Sequence, residues 1–394
     1  WVGTSNNGLY QFDSQMHYVR SFQADISTRY SIGGNEIRTL CEDTSGILWI
    51  GTISEGVSTI NIRDKKIDLY SIELKRNNSV TQTKIITFFE DNNGLLWIGT
   101  RANGVEIMNL KTKEFINLAN KKTNRLKDVS AFYQDNSGAM WIGTWQGLFR
   151  IPAHQVKDIW NIPEINIENV DNILSHSNIS IYRIVKDRDN HLWISTSNGV
   201  YEYIPSTDNY YAGYFVNYSY DPFNPNTIQD NFVTDIYADR ETPKKTIWAG
   251  TRKGLSKITF ENHKARIERI YPSTEKGMQG EFVSVIHQDA KKQLWIVTLG
   301  GGLNKMLTGR FENQPPTFEV YNNSKYPFPN NELESLLEDK AGNFWIGGYG
   351  ITKFNPENGE LKFYSIKDRL QSNSFKIWSA YNLRNGDMVF GGVN

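Results

Sequence analysis

The chain has 394 residues, and its 43 Lys+Arg balance 43 Asp+Glu, so there is no excess of cations to suit a nucleic-acid backbone. Mean hydropathy is −0.52 and no apolar run approaches the roughly 18 residues of a membrane-spanning helix. The single cysteine, Cys41, excludes an internal disulfide framework and a multi-cysteine zinc site, while the 13% aromatic content favours strands.

Taken in chain order, one strand recurs. Trp1-Val2-Gly3-Thr4 is a beheaded first copy. Leu48-Trp49-Ile50-Gly51-Thr52, Leu96-Trp97-Ile98-Gly99-Thr100 and Met140-Trp141-Ile142-Gly143-Thr144 follow. Next come Leu192-Trp193-Ile194-Ser195-Thr196, Ile247-Trp248-Ala249-Gly250-Thr251, Leu294-Trp295-Ile296-Val297-Thr298 and Phe344-Trp345-Ile346-Gly347-Gly348. Met388-Val389-Phe390-Gly391-Gly392 is a last copy with Val in the Trp place. The steps are 48, 48, 44, 52, 55, 47, 50 and 44 residues. A period of about 40–50 residues means a propeller or a solenoid. Trp1 lies inside a repeated strand and Asn394 closely follows another, so the sequence reads as a piece of a longer polypeptide.

Each unit reads as four short strands. An apolar strand ending in an acid comes first, as in Ile37–Asp43 or Ile85–Asp91. A tight turn follows, with Gly three residues after Asp: Asp43/Gly46, Asp91/Gly94, Asp135/Gly138, Asp339/Gly342. Asp opens such turns through its side chain, and Gly accepts positive φ. The Trp strand is second. A Gly-containing turn leads to a third strand such as Gly104–Leu110, and a fourth such as Glu360–Tyr364 completes the unit. Polar crossings, Asn77-Asn78-Ser79-Val80 or Asn224-Pro225-Asn226-Thr227, lead onward. No convincing amphipathic helix is visible. Four antiparallel strands per period predict an all-β fold, a β-propeller. Seven complete blades span roughly 24–372, between a blade lacking its first strand and one lacking its last two.

The pattern Glu-Asp-x-x-Gly-x-Leu-Trp-Ile-Gly-Thr…Gly-Gly/Val resembles the two-component regulator propeller repeat. It recurs nine times and covers essentially the whole chain. The repeat is similar to those in periplasmic sensor halves of hybrid two-component histidine kinases. That resemblance implies two seven-bladed propellers, then a β-sandwich, a membrane helix and a kinase. Counting back seven Trp-equivalent positions from Val389 reaches Trp97. On that partition residues 1–75 end a first propeller and 76–394 form a second, seven-bladed one with a truncated last blade. One continuous ring is the rival partition.

Eight of the eleven tryptophans sit in the repeat and read as packing between blades. Trp145 replaces a small residue after Gly-Thr and reads either as a ligand contact or as local packing. Trp378 reads as core or channel lining, and Trp160 lies in an irregular stretch. The six histidines form no metal-binding motif, and no phosphate loop occurs. Gly300-Gly301-Gly302 reads as a blade turn. No arginine triad or carboxylate pair is singled out for glycoside chemistry. Neither a catalytic residue, a metal nor a cofactor is expected.

Up-down-up-down strands place the second-to-third turns on the same face as the crossings. The turns contribute Arg101, Trp145, Arg252 and Tyr349. The residues leading into innermost strands include Asn35, Lys84, Asn231, Glu281 and Asn331. Guanidinium, amide and aromatic groups together suit a sugar or an acidic glycan fragment. A merely solvated loop face is the competing reading. The resemblance implies a periplasmic, non-catalytic sensor of a carbohydrate breakdown product, linked to polysaccharide utilisation. A protein-binding scaffold and a glycan-active lyase or hydrolase are the alternatives. A homodimer is expected, with membrane contact only through segments outside this chain.

Overall fold

A computed structural model of the chain describes residues 1–25, 31–44, 47–61, 84–121, 126–170, 179–206, 213–273, 275–311, 314–368, 370 and 372–392. The chain divides into two compact units, Trp1–Ser71 and Ile72–Asn394. The expected boundary at 75/76 and the Asn77–Val80 crossing lie outside the described residues.

The first unit holds two antiparallel three-stranded sheets. One consists of Val2–Gly3, Leu9–Phe12 and Tyr18–Phe22; the other of Ile37–Glu42, Ile47–Thr52 and Val57–Asn61. The second unit holds seven sheets, here called blades I to VII, over 85–117, 129–169, 181–218, 233–270, 282–321, 335–364 and 375–392. Blades I to VI are four-stranded and antiparallel, with strands in sequence order. Blade VII has two strands among the described residues, Phe375–Asn382 and Met388–Gly392. Each innermost strand packs on the next, and Phe375–Asn382 packs back on Ile85–Glu90 of blade I. The ring is therefore closed. Arg384 fastens the seam: its backbone N–H donates to Glu90 Oε2 at 2.7 Å and its guanidinium to Asp91 O at 2.8 Å.

The turn aspartate does two jobs. In blade I, Asp91 Oδ1 accepts the Leu95 N–H at 2.9 Å and Oδ2 accepts the Trp97 indole N–H at 2.9 Å. The same indole bond recurs at Asp135–Trp141, Asp187–Trp193, Asp239–Trp248, Asp289–Trp295 and Asp339–Trp345, at 2.8–3.1 Å. Gly94, Gly138 and Gly342 sit at positive φ as the turn demands. Asn190 and Lys292 adopt positive φ at the same place in blades III and V, which shows that the turn geometry overrides residue preference.

The tryptophans pack across blade interfaces. Trp97 clusters with Val129, Phe132 and Met140 of blade II, and Trp193 with Val233, Ile236 and Ile247 of blade IV. Trp141, Trp248 and Trp295 follow the same rule with blades III, V and VI. Each ring is held by its own blade and covered by the next. Trp49, in the first unit, keeps its bond to Asp43 at 2.8 Å but is 45% exposed. No later sheet of its own unit covers it among the described residues. The expectation of interblade packing therefore does not extend to Trp49.

A second interblade tie comes from the innermost strands. Pairing with the second strand slips by one residue near the start, leaving a bulge at Ser130, Tyr182 and Thr234, and at Ser284. Ser284 Oγ lies 3.2 Å from Val297 O of its own blade and 2.7 Å from Leu333 O, at the lead-in to the next. Thr234 and Ser130 bridge to Val283 O and Ile181 O in the same way.

Blade II departs from the expected unit. A five-residue helix, Ala153–Lys157, follows its third strand, and its fourth strand is only Glu168–Asn169. Trp160, in that insert, packs against the cluster under blades I and II. Gly300-Gly301-Gly302 forms a turn between strands; a Cβ on Gly301 would fall 2.0 Å from Gln279 O.

Trp97→Ala should cost about 3–5 kcal/mol, as for a buried aromatic, whereas Trp49→Ala should cost about 1 kcal/mol. Urea unfolding of both variants checks this; equal costs would refute the interblade account.

Candidate functional site

The backbone joins the two sets of face residues. Arg101 N–H donates to Lys84 O at 2.9 Å, Trp145 N–H to Asp128 O at 3.1 Å, Ser197 N–H to Ser180 O at 2.9 Å and Arg252 N–H to Phe232 O at 3.4 Å. Each second-to-third turn thus sits directly on the lead-in to its own innermost strand. The turns and lead-ins form one face around the channel mouth.

The side chains fall into separate groups on that face. The Arg101 guanidinium stands 5.2 Å over the Trp145 ring, and its Nε lies 4.0 Å from Asp128 Oδ1. Trp145 Nε1 is buried with no hydrogen-bond partner. The Trp145 carbonyl accepts the Ser180 hydroxyl at 2.9 Å. Lys84 is half-buried beside them. Arg252 belongs to a second group, with its guanidinium 3.4 Å over the Phe232 ring. Tyr349 belongs to a third: it is 56% exposed and stacks on Phe363 at 6.2 Å. A shallow cleft beside it is lined by Pro329, Glu332, Leu333 and Gly348.

The asparagines are bound into the fold. Asn231 Oδ1 accepts the Tyr220 N–H at 2.7 Å, and the Asn231 carbonyl accepts the Gly199 N–H of blade III at 2.7 Å. Asn331 repeats both bonds, with Asn323 N–H at 2.7 Å and Gly300 N–H at 2.8 Å. Asn35, in the first unit, takes Ala24 N–H at 2.7 Å and Gly8 N–H at 2.9 Å. These amides tie a lead-in to the preceding blade, a structural duty that distinguishes them from the arginines. Glu281 is simply exposed.

The sequence reading missed the aromatic stack at the channel mouth. Phe232 packs on Tyr182 at 4.8 Å, and Tyr182 stacks on Trp378 at 5.1 Å and 14°. Tyr182 is buried, and burial pushes its phenol up. Trp378 donates its indole N–H to Thr234 O at 2.8 Å. Blades III and IV lie diametrically opposite blade VII, so Trp378 spans the channel rather than lining it. The available signal was Tyr182, which stands where blades II, IV and V put Ser130, Thr234 and Ser284. Directly below, Asp235 is buried with Oδ2 accepting Ile286 N–H at 2.8 Å and Oδ1 3.6 Å from Arg183 Nε.

Away from this face, Asp187, His191 and Glu202 place donor atoms within 4.8 Å of one another, as a metal site would. The cation there belongs to the chain. Lys245 Nζ of blade IV lies 2.7 Å from Asp187 Oδ2, 2.8 Å from Glu202 Oε1 and 3.1 Å from His191 Nδ1. Burial alone would raise both carboxyls; hydrogen bonds, to Lys245 and Trp193 for Asp187 and to His191 and Lys245 for Glu202, outweigh it and hold both low. Burial would lower Lys245, but the two carboxylates keep it raised.

On the outer edge, the 221–227 crossing is clamped by Arg269. Its guanidinium donates to Asp221 O at 2.9 Å, Asn224 O at 2.8 Å and Thr227 O at 2.7 Å. The clamped loop holds Phe223 95% exposed.

Comparison with known proteins fits this architecture. The description "Two component regulator propeller" matches residues 31–54, 79–102, 126–146, 175–198 and 327–350. These five segments carry the two component regulator propeller repeat. Three of the matched segments run through a lead-in, an innermost strand, the Asp turn and the Trp strand to Arg101, Trp145 and Tyr349. A protein described as histidine kinase P4 of Formosa agariphila is 24% identical over 218 residues, 54% of this chain and 15% of its own length. The extracellular domain of a hybrid two component system of B. thetaiotaomicron superposes with a TM-score of 0.72 at 22% identity, over 100% of this chain and 49% of that one. A streptogramin B lyase superposes with a TM-score of 0.55 at 13% identity, over 80% and 93%. The propeller-repeat chain thus spans less than half of either two-component relative. At these identities the two structural likenesses establish the fold.

Two stability measurements test the side-chain assignments. Lys245→Met leaves two buried carboxylates unpaired and should cost about 3 kcal/mol at pH 7. Depressed carboxyls stabilise the fold above their unfolded pKa of about 4, so the penalty should shrink as pH falls below that value. A penalty independent of pH in denaturant titrations would contradict the charge network. Arg269→Ala should cost about 2 kcal/mol through the lost loop bonds, while Phe223→Ser should leave the melting temperature unchanged. Calorimetric scans of both variants decide whether the loop or its aromatic tip carries stability.

Proposed function

We propose that this propeller is the extracytoplasmic, non-catalytic ligand-sensing part of a hybrid two-component histidine kinase. Its ligand is a carbohydrate breakdown product, a disaccharide or oligosaccharide, and its output regulates polysaccharide utilisation. The observation that carries the reading is the face at the channel mouth, where exposed guanidinium groups stand on aromatic rings at Arg101–Trp145 and Arg252–Phe232. Aromatic faces stack on sugar rings, and guanidinium forks bind carboxylate or sulfate substituents. The repeat match and the histidine kinase and hybrid-system likenesses support a sensor role. Fold alone would not, since lyases share it. Arg101, Trp145, Arg252 and Tyr349 are the proposed ligand contacts, with Lys84 beside them. Asn231 and Asn331 position the lead-ins. In this reading the chain works in the periplasm as a homodimer.

A second reading, a protein-docking scaffold, is favoured by the clamped loop that presents Phe223. It shares the fold and differs in partner.

A thermal-shift screen of glycan fragments separates the readings. A ligand at 100 times its dissociation constant should add about 2.7 kcal/mol. Calorimetry of the responding fragment should then show binding lost or weakened at least about tenfold in Trp145→Ala or Arg252→Ala. Turnover of the fragment would favour an enzyme, and unchanged affinity in both folded variants would move the site off this face.

A further inference from the structure

We infer that Trp378 is the link through which occupancy of the Arg252 side of the face reaches blade VII, and that an anionic group on the ligand operates it. The inference rests on the sensor reading for what loads the face.

The route is continuous. Arg252 lies over Phe232, Phe232 packs on Tyr182, and Tyr182 stacks on Trp378. An anionic substituent competes with the Phe232 ring for the Arg252 guanidinium, because a bidentate ion pair outweighs a cation–ring contact. Phe232 and Tyr182 are then free to repack. The far end of the route is a strained residue. Trp378 has φ +68°, a left-handed conformation that bulky residues rarely adopt. From across the ring, its side chain is held by the indole bond to Thr234 O and the stack on Tyr182. Strain of this kind persists where surrounding structure imposes it, and it marks elements with a second accessible state.

The element that holds Trp378 is unlike its counterparts. In the other innermost strands that slip, three residues stand against two of the partner strand. In blade VII, six residues from Phe375 to Ala380 stand against three from Gly392 to Phe390. The enlarged bulge is braced at its base by blade VI. Ile377 N–H donates to Glu334 Oε2 at 3.2 Å, and Lys376 Nζ lies 2.7 Å from Glu334 Oε1. Within the bulge, Lys376 N–H donates to the Ser379 hydroxyl oxygen at 3.1 Å. Releasing Trp378 lets the bulge return to negative φ and changes the register in which blade VII pairs. Blade VII also closes the ring through Arg384, so its pairing bears on the seam with blade I. The two arrangements of this bulge supply the two-state element that coupling between distant sites requires.

The test uses the whole chain labelled with 5-fluorotryptophan, and no ligand. Trp378→Phe assigns the Trp378 fluorine resonance by its disappearance. Arg252→Ala removes an exposed side chain and should leave the fold intact. It should nonetheless shift the Trp378 resonance and raise amide exchange in Phe375–Asn382 about tenfold, while Val129–Gln134 of blade II keeps its protection. Trp378→Phe should raise exchange in the same segment. Wild-type resonance and wild-type exchange in Arg252→Ala would overturn the link. Because no saccharide enters the experiment, a failed glycan screen leaves this result standing, and a failed link leaves the glycan reading standing.

Discussion

The fold depends on one carboxylate in each of blades I to VI. An aspartate closes the turn between the first and second strands with one oxygen and holds the indole N–H of the next strand with the other. Without the second bond, a tryptophan buried at an interface would carry an unsatisfied donor. With it, the ring is fixed by its own blade and offered flat to the following one. Blade spacing, ring closure and the position of the face all follow from that orientation. The bulge hydroxyls at Ser130, Thr234 and Ser284 add a second tie near the axis. Blades are therefore held to one another near the axis and farther out, which leaves little freedom for rigid-body motion between them.

Blade VII is where that regularity gives way. Its bulge is larger, its Trp position is Val389, and its closure relies on Arg384 reaching the Asp91 turn of blade I. Trp378 reaches from it across the ring to Tyr182 and Thr234 of blades III and IV. On the proposed route, a change at the face acts on this irregular element while the other six blades stay in place. Lys245 works in the opposite sense: it fills a nest of acids between blades III and IV with a fixed charge, and so makes that interface rigid.

The blade unit was legible in the sequence because its parts are local. Trp, Gly-Thr and the Asp/Gly turn recur at near-constant spacing, and hydrogen bonds over two to six residues create both strand and turn. The second role of Asp91 and its equivalents was hidden, since a turn aspartate looks the same whether or not it also binds an indole. Interface burial was harder still: Trp49 matches Trp97 in sequence and differs only in what lies over it. On the face, Arg101, Trp145 and Arg252 stood out against the serine that two other units, at Ser5 and Ser197, place there. Asn231 and Asn331 were read as face residues beside them, yet their duty is backbone bonding between blades. The Tyr182–Trp378 stack joins residues almost two hundred positions apart, and only ring closure brings them together.

The Arg269 clamp separates the shape of a loop from the identity of its tip. Three backbone carbonyls fix the 221–227 path, and the Phe223 side chain stands 95% exposed above it. A position of that kind can change chemistry freely without disturbing the blade beneath. The chemistry presented at the edge of blade IV is thereby decoupled from the axis of the ring, where bulge hydroxyls tie one blade to the next.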